Sequence, residues 1–226
     1  MKRLALVLAV AVLTGCGGEE RGRATLWITR DRGAQVILDR QVPAGLTAMQ
    51  ALDRVADIET RYAGRYVQAI NGIEGSLANR RDWFYFINGY EADRSAAEYR
   101  LREGDVEWWD FRSWKTRMRE PVVVGAFPEP FLHGYGGKRL DAYVVIDGPA
   151  LLPQARSLAR VVRGQVVDVT FPVPRGANVL RAAAGSPTRF VARLRTGGGV
   201  LFEYTGDLQQ LAQSPRRFRF RYQVGR

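Results

Sequence analysis

The stretch that most constrains this chain is Arg81 to Trp114, RDWFYFINGYEADRSAAEYRLREGDVEWWDFRSW. Four of the five tryptophans lie in it; the fifth is Trp27. Its alternating aromatic run closes on Asn88-Gly89, a dipeptide that tolerates the left-handed backbone of a tight hairpin turn. Val106 to Phe111 is a second β-prone run. In Val106-Glu107-Trp108-Trp109, adjacent side chains of a strand point to opposite faces, so Trp108 and Trp109 cannot enter one core together. One faces a helix-covered core. The other faces either a ligand or whatever follows in the chain. Trp83, Tyr85 and Ile87 share one face and Phe84 and Phe86 the other, which predicts a strand covered on both sides.

The elements upstream complete a small module. Ala24 to Thr29 and Gln35 to Leu38 read as a hairpin about Asp31-Arg32-Gly33-Ala34, and Val42-Pro43-Ala44-Gly45 ends it. Thr47 is a good helix N-cap ahead of the apolar positions Met49, Leu52, Val55 and Ala56. Tyr66 to Ile70 reads as a strand closed by Asn71-Gly72. Asn71, Asn88 and Asp105 read as turn formers. The order β-β-α-β-β-β predicts an α+β, β-grasp-like domain: a mixed sheet with one helix across a face.

The chain ends differently from how it begins. Residues 17–114 hold 14 arginines against 16 acidic residues, and residues 115–226 hold 18 basic against 7 acidic. The excess positive charge therefore belongs to the second half, and such asymmetry points to an anionic partner for that half. Residues 115–120 read as a charged linker and 121–226 as a second small α+β domain. Its expected strands are Pro121 to Ala126, Ala142 to Ile146, Val166 to Phe171, Arg189 to Leu194, Val200 to Tyr204 and Phe218 to Val224. Its helix runs from Leu151 to Val162. In Arg216 to Tyr222 a strand would place Arg217, Arg219 and Arg221 on one basic face and Phe218, Phe220 and Tyr222 on an aromatic one.

The N-terminus is read as a targeting signal. Lys2 and Arg3 precede the apolar run Leu4 to Leu13, which is too short to span a membrane. Leu13-Thr14-Gly15-Cys16 resembles the bacterial lipobox. This implies a signal peptide over residues 1–15, a lipidated Cys16 and a flexible tether through residue 23. The expected location is the extracytoplasmic side of a cell membrane, anchored to lipid through Cys16. Anionic lipid or a wall polymer, rather than nucleic acid, is then the expected partner of the basic half.

Composition narrows the chemistry. Cys16 is the sole cysteine and His133 the sole histidine. A lipidated Cys16 leaves no disulfide and no thiol nucleophile, and one histidine cannot build a histidine-cluster metal site. His133-Gly134-Tyr135-Gly136-Gly137-Lys138 lacks the spacing and the hydroxyl residue of a phosphate-binding P-loop. The expectation is a binding protein with no catalytic residues and no metal.

Three motifs, in order, resemble the transcobalamin-like C-terminal domain family, the β-grasp module that closes over cobalamin in its carriers. Val67 to Gly72 (VQAING) resembles its strand-then-Asn-Gly element. Trp83, Tyr85, Asn88 and Gly89 resemble its W-x-Y-x-x-N-G strand. Tyr99, Leu101, Gly104, Asp105, Val106 and Trp108 resemble its Y-x-L-x-x-G-D-x-V-x-W ending. The resemblance covers residues 24–114. It implies cobalamin or another corrinoid as a candidate ligand, passed to a membrane transporter. Trp83, Tyr85, Asn88, Tyr90, Trp108 and Trp109 are the implied contacts, with polar groups from residues 71–79 and 88–94. The helical barrel that completes the carriers' cleft has no counterpart here. The alternative expectation is a non-catalytic interaction module whose basic half lies on an anionic surface.

Overall fold

The computed structural model describes residues 22–225; the signal peptide and Cys16 expected above lie outside the described residues. The described chain is mixed α+β and is built on two five-stranded sheets and one of three strands.

The first sheet has the order β2-β1-β8-β6-β7. Strands β1 (Arg23–Arg30) and β2 (Gln35–Pro43) form the hairpin. At the centre of the sheet β1 runs parallel to β8 (Val106–Ser113). Strand β6 (Arg81–Ile87) is antiparallel to β8 on its other side. Asn88, with φ of 50°, turns the chain into β7 (Tyr90–Glu91) as its Asn-Gly signal predicts. Helix α1 (Ala48–Asp53) starts at Thr47, whose side chain accepts from the Gln50 amide while Gln50 reaches back to the Thr47 amide. This reciprocal cap satisfies two amides that the first helical turn leaves open. Met49, Leu52, Val55 and Ala56 all pack into the first core, although α1 ends before the last two.

A three-stranded sheet flanks this module: β3 (Ile58–Arg61), β4 (Tyr66–Ile70) and β5 (Ile73–Glu74). Strand β4 was expected in the mixed sheet and pairs here instead, β5 was not expected, and neither was β3. Its sequence, IETR, carries one apolar residue and no alternation to read.

The second sheet has the order β10-β9-β11-β13-β12. Strands β9 (Ala142–Ile146), β10 (Gln165–Asp168), β11 (Asn178–Ala183) and β13 (Val200–Thr205) are mutually parallel, and β12 (Arg189–Leu194) is an antiparallel edge. Between the two sheets the chain forms a short helix, α2 (Glu129–Leu132). Helix α3 (Leu152–Val162) crosses from β9 to its neighbour β10 and buries Ala155, Leu158, Ala159 and Val162, as its periodicity predicts. Helix α4 (Leu208–Gln213) adds Leu208 and Leu211 to the same core. Strand β11, central in this sheet, and helix α4 were not expected. NVLRAA mixes burial on both faces with alanine, so no period of two stands out.

Two expected strands are corrected. Pro121 to Ala126 makes a bridge at Val122 with Tyr90, then a short 3-10 turn over Val124–Ala126. It continues the edge of the first sheet instead of opening the second. Phe218 to Val224 is a chain of turns with one bridge, Val224 to Phe190. Its aromatics part between two places: Phe218 meets Phe190 in the second core, whereas Phe220 and Tyr222 join the cluster of Trp27, Phe86 and Trp108. Phe220 takes a positive φ of 63° to do so, which is incompatible with a strand. Val166 to Phe171 is shortened to β10, with a turn from residue 169.

Candidate functional site

Trp108 and Trp109 separate as the pleat requires. Trp109 enters the core under α1, and Trp108 enters a second cluster with Trp27, Phe86, Val106, Val123 and Tyr222. Trp108 has no exposed surface, and its indole N–H donates to Thr29 Oγ1 at 2.7 Å. The opposite face of the first sheet is therefore closed by the segment around Val123 and by the C-terminal turns. Asp110 sits in the middle of this junction. Its carboxylate accepts from Thr29 Oγ1 at 2.5 Å, from the Arg32 and Gly33 amides at 3.1 and 3.0 Å, and from Tyr222 Oη at 2.9 Å. Four donors offset the desolvation of a fully buried carboxylate.

The remaining aromatic wall opens on a cleft of about 360 Å³. Tyr85 stacks on Trp109 with ring centres 4.9 Å apart and planes 20° from parallel. Trp83 lies beside them, held by its indole N–H on the Ile73 carbonyl at 2.7 Å. Asp82, Trp83, Phe84 and Tyr85 all line this one cleft. Alternate residues of a strand point to opposite faces. A cavity that touches four in succession must therefore run along the strand's outer edge. Tyr66, Val67, Leu77, Trp114 and Met118 line it as well.

Polar groups on the rim are mostly engaged. Asp82 accepts from Tyr66 Oη and, at 2.8 Å, from the Trp83 amide. Burial, then the hydrogen bond to Asp82, holds the Tyr66 hydroxyl protonated well above the usual phenol range. Tyr85 is likewise raised, chiefly by burial, and its hydroxyl donates to the Arg94 carbonyl at 2.5 Å. Arg65 and Arg94 line the same cleft, each exposed and paired only with an exposed acid, Glu98 and Asp93. A stacked aromatic pair on an apolar wall, with two cations at the rim, suits a flat or extended ligand that carries an anionic group. Among the described residues no cluster of His, Cys, Asp and Glu is arranged to hold a metal ion.

The expected contacts thus fall into four places. Trp83, Tyr85 and Trp109 come together at the cleft. Trp108 lies in the junction between the sheets. Tyr90 lines a separate hollow with Tyr135 and Lys138. Asn88 is fully buried and ties the turn together: its amide group donates to Asp105 at 2.7 Å and to the Gly134 carbonyl at 2.8 Å. Of the two stretches expected to give polar groups, residues 88–94 line the cleft with Glu91, Ala92 and Arg94, whereas residues 71–79 line it only with the apolar Leu77. Arg65, Tyr66, Asp82, Trp114 and Met118 were not anticipated as a site. Only Trp114, in the tryptophan-rich stretch, carried a signal that could have marked it.

The arginine row dissolves with its strand. Arg219 pairs with Asp39 and lies over Trp27, Arg217 reaches Gln210, and Arg221 points into an exposed hollow with Arg32 and Glu120.

Residues 45–113 match DUF4430, a domain of unknown function. The match covers helix α1 through β8, the elements that build the cleft. No curated protein matches the chain. Among solved structures, haptocorrin in complex with Cbi is 16% identical, with a TM-score of 0.32 over 41% of this chain and 26% of that one. A protein from Ruminococcus gnavus ATCC 29149, provisionally described as metal-binding, is 13% identical, with a TM-score of 0.32 over 41% of this chain and 97% of its own. The chain thus spans about a quarter of haptocorrin's length.

Proposed function

We propose that this protein is a non-catalytic, ligand-binding lipoprotein, held at the extracytoplasmic face of a membrane through Cys16, whose first module takes its ligand in the cleft along β6. The observation that carries this reading is the exposed edge of β6, backed by Trp83 and by the stacked Tyr85–Trp109 pair. Large aromatics facing a cleft contribute much contact area at little entropic cost. The Leu4 to Leu13 apolar run and the Leu13-Thr14-Gly15-Cys16 motif support the anchor.

The finer reading is a corrinoid ligand passed to a membrane transporter. It is supported by the order of the three motifs and by an aromatic wall able to lie against a macrocycle. A cleft of about 360 Å³ seats part of such a ligand and leaves the rest uncovered. Titration of the full-length chain with cobalamin, followed by tryptophan fluorescence, tests it. Quenching that saturates at micromolar ligand is expected, and an unchanged signal would overturn the corrinoid assignment.

A second reading is favoured by a different observation. Arg156, Arg160 and Arg163 are exposed on and just after α3, and none has an acidic partner among the described residues. A spacing of four places Arg156 and Arg160 on one helical face, and Arg163, at the left-handed end of the helix, lines the same shallow hollow. In this reading the second half rests on an anionic lipid or wall surface through α3, in place of the Arg217, Arg219 and Arg221 row. Salt-sensitive co-sedimentation with anionic vesicles, lost on reversing these three charges, tests it.

A further inference from the structure

The outer edge of β6 is paired at both ends and open in the middle. Asn88 N–H donates to the Val106 carbonyl and Trp114 N–H to the Arg80 carbonyl, so the even-numbered residues of this strand bond to β8. The N–H and C=O groups of the odd-numbered residues therefore point to the outer edge. Arg81 exchanges both bonds with Ser76, and the Tyr85 carbonyl accepts from the Ala92 amide at 3.0 Å. Between these points the Trp83 amide is capped by Asp82. The Trp83 carbonyl and the Tyr85 amide have no partner among the described residues.

That pair of groups brackets Phe84. In a parallel ladder one incoming residue donates to the carbonyl before its opposite number and accepts from the amide after it. An antiparallel partner would meet the same two groups through two different residues, each completing only one bond of its pair because Trp83 N–H and Tyr85 C=O are taken, whereas a parallel partner meets both through one residue. The open edge thus has the pattern that accepts a parallel strand. Its direction then follows from β6, with the C-terminal end of the incoming segment toward Ala92. There Ala92 occupies the next position in the sheet plane, so the segment must end or leave the sheet. Arg94 follows two residues on, and Ser95 Oγ donates to the Arg65 carbonyl, which brings the two cleft-lining arginines to that end.

We propose that the cleft binds the C-terminal end of an extended peptide. The peptide lies parallel to β6, with one residue opposite Phe84, apolar side chains against Trp83 and Tyr85, and its carboxylate toward Arg65 and Arg94. This is strand addition limited to about one residue pair, with side-chain pockets and a charged terminus supplying selectivity. It rests on the reading of this cleft as the ligand site and takes a peptide, in place of a corrinoid, as the ligand.

The test uses the full-length chain and acetyl-Ala-Leu-Leu as the probe, in three forms: free acid, C-terminal amide, and acid N-methylated at either of the last two residues. Binding is read by calorimetry and tryptophan fluorescence. The free acid is expected to bind, and the amide to bind about tenfold more weakly, because a charge-assisted contact is lost. N-methylation at one of the two positions should abolish binding, since it removes the N–H that meets the Trp83 carbonyl. The double variant R65A/R94A should bind acid and amide alike. Equal binding of all forms would overturn the proposal. So would failure of every peptide in a protein whose tryptophans respond to cobalamin, in which case the cleft remains a ligand site of another class. Failure of peptides and cobalamin together would overturn both readings.

Discussion

The hydroxyl of Tyr222, four residues from the end of the chain, donates to Asp110 at the centre of the first sheet across 2.9 Å. The C-terminal segment is thereby part of the first module's support, although it follows the whole second sheet in sequence. Tyr222→Phe keeps the ring against Trp108 and removes one of four donors to the carboxylate. A loss of about 1 kcal/mol is expected in urea unfolding. Asp110→Asn should cost more, about 2–3 kcal/mol, because its amide group would face donors inside a buried site.

Two glycines let the C-terminal turns thread this junction. A Cβ on Gly125 would meet the Arg221 carbonyl oxygen at 2.7 Å and its amide at 2.8 Å. On Gly33, where φ is +77°, it would fall 1.6 Å from the Phe220 carbonyl oxygen. Backbone cannot yield as a side-chain tip can. Gly125→Ala is expected to lower stability by about 1–3 kcal/mol, and Gly33→Ala by more, since backbone strain adds to the clash. Thermal unfolding of the two variants checks the ranking.

Glu107 is fully buried, and only its Oε1 has a donor, the Trp109 indole N–H at 2.5 Å. Burial pushes its carboxyl well above the ordinary value of 4.5, more than the Trp109 hydrogen bond lowers it. Below about pH 4.5 both folded and unfolded chains hold the proton, and there is no penalty. As pH rises further the unfolded chain releases its proton first, so wild-type stability falls until the folded pKa is passed. Glu107→Gln removes this slope. The stability difference between variant and wild type should widen in the variant's favour from pH 4 to pH 8; parallel curves would contradict this.

His133 lies at the end of α2 with Nδ1 3.0 Å from Glu129, which also holds Arg216. The Glu129 carboxylate facing its ring raises its pKa above 6.5, against a smaller opposing effect of burial. The resulting stabilisation is complete below pH 6.5 and is lost as pH rises through the folded pKa. Because the chain has one histidine, its ring-proton NMR shift reports this titration alone. The midpoint should lie above 6.5 in the wild type and fall in Glu129→Gln.

The first module was largely legible because its signals are local. Thr47 caps α1, Asn88 takes the left-handed backbone its turn needs, and β1, β6 and β8 stand where alternation placed them. Strand β11 and residues 218–224 were misread for one reason: their burial depends on distant partners. Alanine-rich β11 becomes a central strand because β9 and β13 lie on either side of it. Phe218, Phe220 and Tyr222 look like one strand face but divide between two cores, Phe218 in the second and the other two in the junction around Trp108. The cleft was half visible. Its aromatic wall came from two runs of the tryptophan-rich stretch, β6 and β8, whereas Arg65 and Tyr66 join it from beside and within a strand of another sheet.

The sequence by itself determined β1, β2, α1, β6 and β8 of the first module, and the pleat alone required Trp108 and Trp109 to part. Which of them would be covered, and by what, is a matter of long-range packing. The tertiary structure sends Trp109 beneath α1 and closes Tyr222 over Trp108, leaving Trp83, Tyr85 and the open edge of β6 to face the cleft. Period-two alternation specifies two faces of a strand; only the arrival of other segments decides which face, and which edge, remains open.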